Sequence, residues 1–243
     1  LCDEKSHEYF MAVFKETRGL GVTEQDFDFS TVLEQGCRQL QLDLGDEAID
    51  RLAVYFEELG RWSRKTNLIG KQQGGRQILE NHFLDSLLLL PLLQEKDRSL
   101  VDVGTGAGFP GLVCKAVLPE LPLGLIEPRR KRVSFLRHII RRMRLENVKV
   151  MPCRIEELAP EELQCSHITS RAVAEIGEFV GMVSKGIADD TRIVCMKGPR
   201  WRSEMEQATA LLEAEGYGLA EYREYVLPFS GARRAVVSLC RRM

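Results

Sequence analysis

The sequence predicts an α/β fold in which a mostly parallel, doubly wound sheet follows a small layer of helices. Three observations carry this reading. From about residue 98 short apolar runs alternate with helix-like stretches, the first of those runs ends in a glycine-rich turn, and the last two runs follow one another with no helix between them.

Residues 1–29 show weak periodicity and turn-like pieces such as Arg18-Gly19-Leu20-Gly21, and read as a weakly structured extension. From Ser30 the pattern becomes helical. Val32, Leu33, Leu40 and Leu42 recur near helix spacing, and Asp46 is placed to cap a longer helix through Ile49, Leu52, Ala53, Phe56, Leu59 and Trp62. A third helix is expected from Arg76 to Leu93, so residues 30–97 read as a helical layer and 98–243 as the sheet domain. There, strands are expected at Leu100–Val103, Leu123–Glu127 and Val148–Met151, with helices at Gly111–Leu118 and Lys131–Leu145. Further apolar runs lie at Ile168–Ser170 and Arg192–Met196. The final runs, about 219–228 and 233–240, are read as a closing antiparallel hairpin.

Composition bounds the class. A chain of 243 residues, 44% hydrophobic and 29% charged, is neither collagen-like nor disordered. It is long enough to bury roughly 70 to 75% of its unfolded surface, so no disulfide framework is required. The formal net charge of −2 conceals two unlike parts: residues 1–60 hold 14 Asp/Glu against 5 Lys/Arg, and residues 61–243 hold 22 against 29. The basic part suggests a polyanionic partner. Seven scattered cysteines with no C-x-x-C pair argue against a zinc site or a secreted disulfide framework and for a reducing cytoplasm. The most apolar run, Leu84 to Leu93, is broken by Asp85 and Ser86 and is too short to cross a bilayer. Residues 1–10 lack the basic start and apolar stretch of a secretion signal; residue 1 is Leu, and this end is expected to be processed or incompletely represented.

The sharpest feature is Asp102-Val103-Gly104-Thr105-Gly106-Ala107-Gly108-Phe109-Pro110-Gly111, at a strand-to-helix junction. Glycines there let a ligand lie against the main chain. The spacing is G-x-G-x-G rather than the G-x-G-x-x-G of dinucleotide sites. Asp102 would repel a pyrophosphate but suits a ligand carrying an ammonium and a sulfonium, as S-adenosylmethionine does. Glu127, 23 residues after Gly104, ends the second strand where a carboxylate can accept from ribose hydroxyls. Ile155 and Glu156 lie past the third strand, where an adenine could be sandwiched and hydrogen-bonded. A structural glycine turn with solvated carboxylates is the alternative.

Residues 129–144 hold eight Lys/Arg and no acid, with Arg129, Arg130, Arg132, Arg137 and Arg141 among them. An amphipathic helix with a basic outer face is what a phosphate-rich partner requires, although a solvated face would look the same. Lys197, Arg200 and Arg202 flank Trp201, an aromatic that could stack on a base, and Arg171 ends the fourth strand on the same rim. His82 and Asp85 are three residues apart on one helix face and could pair.

Ordered blocks now add up: Arg61-Trp62-Ser63-Arg64-Lys65-Thr66-Asn67-Leu68, Asn81-His82-Phe83-Leu84-Asp85-Ser86-Leu87, Asp102 to Gly111, Arg130-Lys131-Arg132-Val133-Ser134-Phe135-Leu136, Ser170-Arg171-Ala172 and Lys197-Gly198. From Leu33 onward the chain resembles the RsmG/GidB family of bacterial methyltransferases. The resemblance implies a class I S-adenosylmethionine-dependent fold, Rossmann-like and seven-stranded, with a helical N-terminal layer. It implies methyl transfer to N7 of one guanine in small-subunit (16S) rRNA, on the RNA or its assembling subunit. It also implies cofactor contacts at Gly104, Phe109, Ile155 and Glu156 and near Arg171, with Glu127 holding the ribose by the general class I pattern; Asp102 and Gly106 join the set from the reading of the loop itself. His82, Asp85, Lys197 and Arg171 match polar positions facing the cleft, as substrate or catalytic residues. No membrane and no metal are expected. His167 stands where the family often has an acid, a change expected to alter packing more than chemistry. An RNA-binding protein with a relic cofactor pocket, and an NAD-dependent oxidoreductase, are the competing readings.

Overall fold

The computed structural model describes residues 27–70, 73–95 and 98–242; the expected extension at 1–29 falls almost wholly outside them. Helix α1 (Phe29–Gln39) is capped by Asp28, whose carboxylate accepts from Thr31 N at 2.8 Å. Helix α2 (Asp46–Ser63) has Gly45 as its cap, so Asp46 is its first residue and not the cap; with Glu47 it places negative charge at the helix's positive end. Helix α3 starts as α-helix at Gly75–Ile78, widens to π-helix over Leu79–Leu84, and tightens again at Asp85–Leu87. It stops short of the expected Leu93, the remainder forming a 3-10 turn at Leu90–Leu92 around Pro91.

Strands β1 (Leu100–Val103), β2 (Leu123–Ile126), β3 (Val148–Met151), β4 (His167–Arg171), β5 (Arg192–Lys197), β6 (Tyr217–Val226) and β7 (Arg233–Arg241) form one sheet in the order β3-β2-β1-β4-β5-β7-β6. The first five are parallel; β7 runs antiparallel to β5 and pairs with β6 as the expected hairpin. Helices α4 (Gly111–Val117) and α5 (Arg130–Arg142) follow β1 and β2. Two helices occupy stretches where the sequence reading places no element: α6 (Ile176–Val183) and α7 (Trp201–Ala214), which pack closely, a Cβ at Gly177 falling 3.1 Å from Ala208 Cβ.

Alternation along the strands sorts side chains into two apolar clusters. Leu100, Leu123, Leu125, Val194 and Val236 face α1–α5, whereas Val101, Val103, Ile126, Ile193, Cys195 and Val237 face α6 and α7. The helical layer thus shares one core with the sheet. A buried carboxylate adds a polar tie: Glu80 of α3 accepts from the backbone N–H groups of Phe229 (2.6 Å) and Ser230 (2.9 Å) in the β6–β7 turn. His167 is buried in β4, its Nδ1 2.9 Å from Ser166 Oγ.

Candidate active site

The carboxyl ends of β1, β4 and β5 meet α3 and β7 around a cavity of about 600 Å³, within the range of small-molecule sites. Gly104, Gly106 and Phe109 form one wall, and His82, Asp85, Arg171 and Lys197 face them. At Gly104, with φ of 66°, a Cβ would sit 2.7 Å from Val173 Cγ2, so the open backbone there is required.

Asp102 does not face the cavity. It is fully buried beneath the loop, where Oδ2 accepts from Thr105 Oγ1 (2.6 Å) and Gly111 N (2.8 Å). Burial pushes its carboxyl up to about 6, against the pull of those two donors and Arg171. Asp102 therefore ties both ends of the loop together rather than meeting a ligand's charge. The carboxylate of Glu127, just past β2, does not line the cavity either, but it is bonded to the loop: it accepts from Gly106 N (3.0 Å), Arg129 N (2.9 Å) and Arg132 NH1 (3.4 Å).

His82 and Asp85 do not pair with each other. Both are held by Arg171, which donates to Asp85 Oδ2 (3.0 Å) and Asn81 O (2.6 Å) through NH1 and reaches His82 Nδ1 (3.1 Å) through NH2. The π stretch makes this possible: Asp85 N–H bonds Glu80 O, five residues back, where an α-helix would have used Asn81 O. Burial, and then the Arg171 charge, pull the His82 imidazole down to about 4, so near pH 7 it is neutral and its Nδ1 is an acceptor. Lys197 Nζ is spoken for by Ala174 O (2.6 Å) and Glu204 (2.7 Å).

The family model described as rRNA small subunit methyltransferase G (GidB) matches residues 48–227. The chain belongs to that family. A protein of the same name from Desulfotalea psychrophila is 50% identical over 217 residues, spanning 88% of this chain and 99% of that one. One from Syntrophus aciditrophicus is 34% identical over 209 residues, 85% and 87% of the two chains. Among solved structures, M. jannaschii TYW2 in complex with AdoMet aligns with a TM-score of 0.52 over 66% of this chain and 76% of that one; at 15% identity this is a likeness of fold alone.

Membership makes the chain a methyltransferase, with S-adenosylmethionine as its cofactor. The residues present fit that group: Gly104 and Gly106, both at positive φ, keep the main chain bare along the cavity, and the buried Glu127 carboxylate lies beside Gly106 N. Ile155, buried, and Glu156, exposed, lie in the 3-10 turn Ile155–Glu157 beyond β3 and do not line the cavity.

In this family member Arg132 joins the cavity wall, while Arg129, Arg130, Arg137 and Arg141 are exposed at the start and on the outer face of α5. Its inner flank is tied to α2 through Glu58, which meets His138 Nε2 at 2.8 Å, Arg61 at 2.9 Å and Arg142 at 3.4 Å. Burial alone would raise the Glu58 carboxyl, but the His138 hydrogen bond and the neighbouring charges hold it low. Trp201 cannot stack on a base: it is buried, with Nε1 donating to Glu224 Oε1 at 2.9 Å. Arg202 lies over its ring and pairs with Glu224 at 3.0 Å, and Arg200 is exposed.

Two residues of the site escape the sequence reading. Tyr55 of α2 is fully buried, donates to Ala107 O, and stacks on Phe109 at 5.3 Å and 9°; His82 lies near the same ring at 5.0 Å and 28°. In the sequence Tyr55 is one more apolar position at helix spacing. Arg234 of β7 enters the cavity wall and shares Asp85 with Arg171; nothing in the hairpin's local pattern distinguishes it from a solvated cation.

A pH dependence follows. His82 and His167 are both pulled down to about 4, chiefly by burial, whereas the unfolded chain protonates them below about 6.5. Between those values the unfolded state binds more protons, so each histidine lowers stability by up to about 1.4 kcal/mol per pH unit as acid is added. Asp102 acts oppositely: raised to about 6, it lets the folded state take a proton first and relieves its own cost as the pH falls. Two histidines outweigh one aspartate. Urea unfolding should therefore show stability falling from pH 6.5 to pH 5, and His167→Gln should flatten that fall; an unchanged slope counts against a neutral buried His167.

Proposed function

We propose that the chain methylates N7 of a guanine in bacterial small-subunit rRNA, in the cytoplasm, on the RNA or its assembling subunit. The observation that carries this reading is one cleft in which a glycine loop, backed by the buried carboxylate of Glu127, is lined together with the cations Arg132, Arg171, Lys197 and Arg234. Gly104, Gly106 and Phe109 would hold the cofactor, Glu127 its ribose, with Ile155 and Glu156 toward β3. When bound, S-adenosylmethionine supplies a methyl group on a sulfonium.

N7 of guanine has a free lone pair, so no proton must leave before it attacks. The cleft agrees with such chemistry. His82 is neutral and its Nδ1 is committed to Arg171, and Asp85 is committed to two guanidiniums. Arg171, fixed by three acceptors, and Lys197, fixed by two, act as positioning residues that orient the nucleotide without rearranging themselves. Arg129, Arg130, Arg137 and Arg141, with Arg200 and Arg202 on the neighbouring rim, would meet phosphates and set the register of the RNA. The target base has to be in a loop or flipped out.

Methylated guanines mapped in small-subunit rRNA from cells with and without the protein should differ at one site, and the purified protein should restore it with labelled cofactor. Cofactor binding without transfer to rRNA would favour an RNA-binding protein that keeps a pocket. Charge reversal at Arg137 and Arg141 should weaken RNA binding and flatten its salt dependence, by about one in the log–log slope for each phosphate that is no longer neutralised. Unchanged binding removes this face of α5 from the interface.

A further inference from the structure

Arg234 is a cleft cation with hydrogen-bonding capacity to spare, and it stands on the side of the cleft away from the glycine loop. Its Nε donates to Asp85 Oδ1 at 3.1 Å and its NH1 to Arg233 O at 3.0 Å. The other three of its five N–H bonds have no protein partner among the described residues. Arg171 and Lys197 are more fully engaged, by three acceptors and by a carbonyl and Glu204; Arg132, with one bond to Glu127, belongs to the glycine-loop side of the cleft.

The local charge is unbalanced. Asp85 gives one oxygen to Arg171 and the other to Arg234, so a single carboxylate serves two guanidiniums, and the trio keeps one positive charge. All three side chains are largely withdrawn from solvent: 16% exposed for Arg171, 27% for Arg234 and 8% for Asp85. Excess positive charge at such a place calls for an anionic ligand.

Position separates that ligand from the cofactor loop. Sheet order puts β4 and β5 between β1 and β7, so the glycine loop and β7 are three strand spacings apart, roughly 14 Å. In the β5–β7 register Met196 opposes Val236 and Lys197 opposes Ala235, which carries Arg234 past the carboxyl end of β5 and over the mouth of the cleft.

We propose that Arg234 binds a backbone phosphate of the substrate RNA next to the methylated nucleotide, with Asp85 holding the guanidinium so that its free donors face the cleft. The planar fork of an arginine, fixed through Nε, matches two phosphate oxygens. This rests on the reading of an RNA substrate given above, and it adds a phosphate site from the far end of the chain to those of α5.

The test compares Arg234→Ala, Arg234→Gln and Arg234→Lys with the unaltered full chain. A small-subunit rRNA fragment is titrated on filters over a range of salt, and S-adenosylmethionine is titrated by calorimetry. Arg234→Ala should weaken RNA binding about tenfold and lower its log–log salt slope by about one, with cofactor affinity unchanged within about twofold. Arg234→Lys, which keeps a point charge but not the fork, should restore the slope and only part of the affinity. Arg234→Gln, still able to hydrogen-bond Asp85, reads the same slope if the alanine variant does not fold. Cofactor binding weakened as much as RNA binding would overturn the proposal in favour of an anionic group of the cofactor. A lowered melting temperature with RNA binding intact would reduce Arg234 to a structural ion pair. RNA binding with a normal Arg234 effect but no methyl transfer would sink the methyltransferase reading and leave this one standing.

Discussion

Gly108→Ala is expected to destabilise the chain by about 3 kcal/mol or more and to abolish cofactor binding. Gly108 has φ of 102°, and a Cβ built on it falls 2.5 Å from Tyr55 Oη and 2.6 Å from Leu112 Cδ1. Backbone strain of this kind costs about 1–3 kcal/mol, and overpacking a full core about 1–3 more. Neither neighbour can retreat, because Tyr55 is fully buried with its hydroxyl on Ala107 O and Leu112 is in the first turn of α4. For a chain of this size the melting temperature should drop by roughly 10 °C. Gly216→Ala is the control: φ is 74° but nothing lies within 4 Å, so only the backbone cost, on the order of 1 kcal/mol, should appear. Combining Gly108→Ala with Tyr55→Phe should recover part of the loss. Melting curves that do not separate the two glycines would refute this account of the loop.

Asp85→Ala should cost about 3–5 kcal/mol, the range for removing one partner of a buried ion pair. Asp85 is buried, and its loss leaves two guanidiniums facing each other with only neutral acceptors. Methyl transfer should fall with it, since Arg171 would no longer be fixed. Asp85→Asn keeps the shape and one acceptor, and should retain more stability than activity. Urea denaturation and single-turnover transfer on the same preparations separate the two effects; an alanine variant as stable as the unaltered chain would show that Asp85 is not the common anchor.

The sheet is legible in the sequence because its signals are local. Runs such as Leu100–Val103 and Leu123–Ile126 are short, apolar and bounded by turns, and the glycine loop marks the first crossover. The hairpin is legible for the same reason. Helix α6 is not, since Gly177 and Gly181 break its helical signature, and their value emerges only where α6 lies against α7. In the site, residue types at strand ends are legible and their partners are not. The i, i+3 spacing of His82 and Asp85 suggests a pair, but Arg171, more than 80 residues away, takes both. Trp201 reads as an exposed stacking platform until Glu224 is seen to bind its indole N–H from 23 residues downstream. Asp102 sits at the expected place and faces inward, because the loop's own N–H and hydroxyl donors claim it.

The tie between Glu80 and the β6–β7 turn bears on the order in which the molecule can be assembled. Glu80 is separated by 149 residues from Phe229 and by 150 from Ser230, whose N–H groups it accepts. During synthesis the carboxylate leaves the ribosome long before either partner exists. Its two backbone donors are supplied only when the last strands arrive, so this bond between the helical layer and the sheet's closing edge is among the last the chain can make. The cleft lies between those two late-meeting parts. A chain interrupted after β5 would possess the whole glycine loop and still lack one side of its cleft.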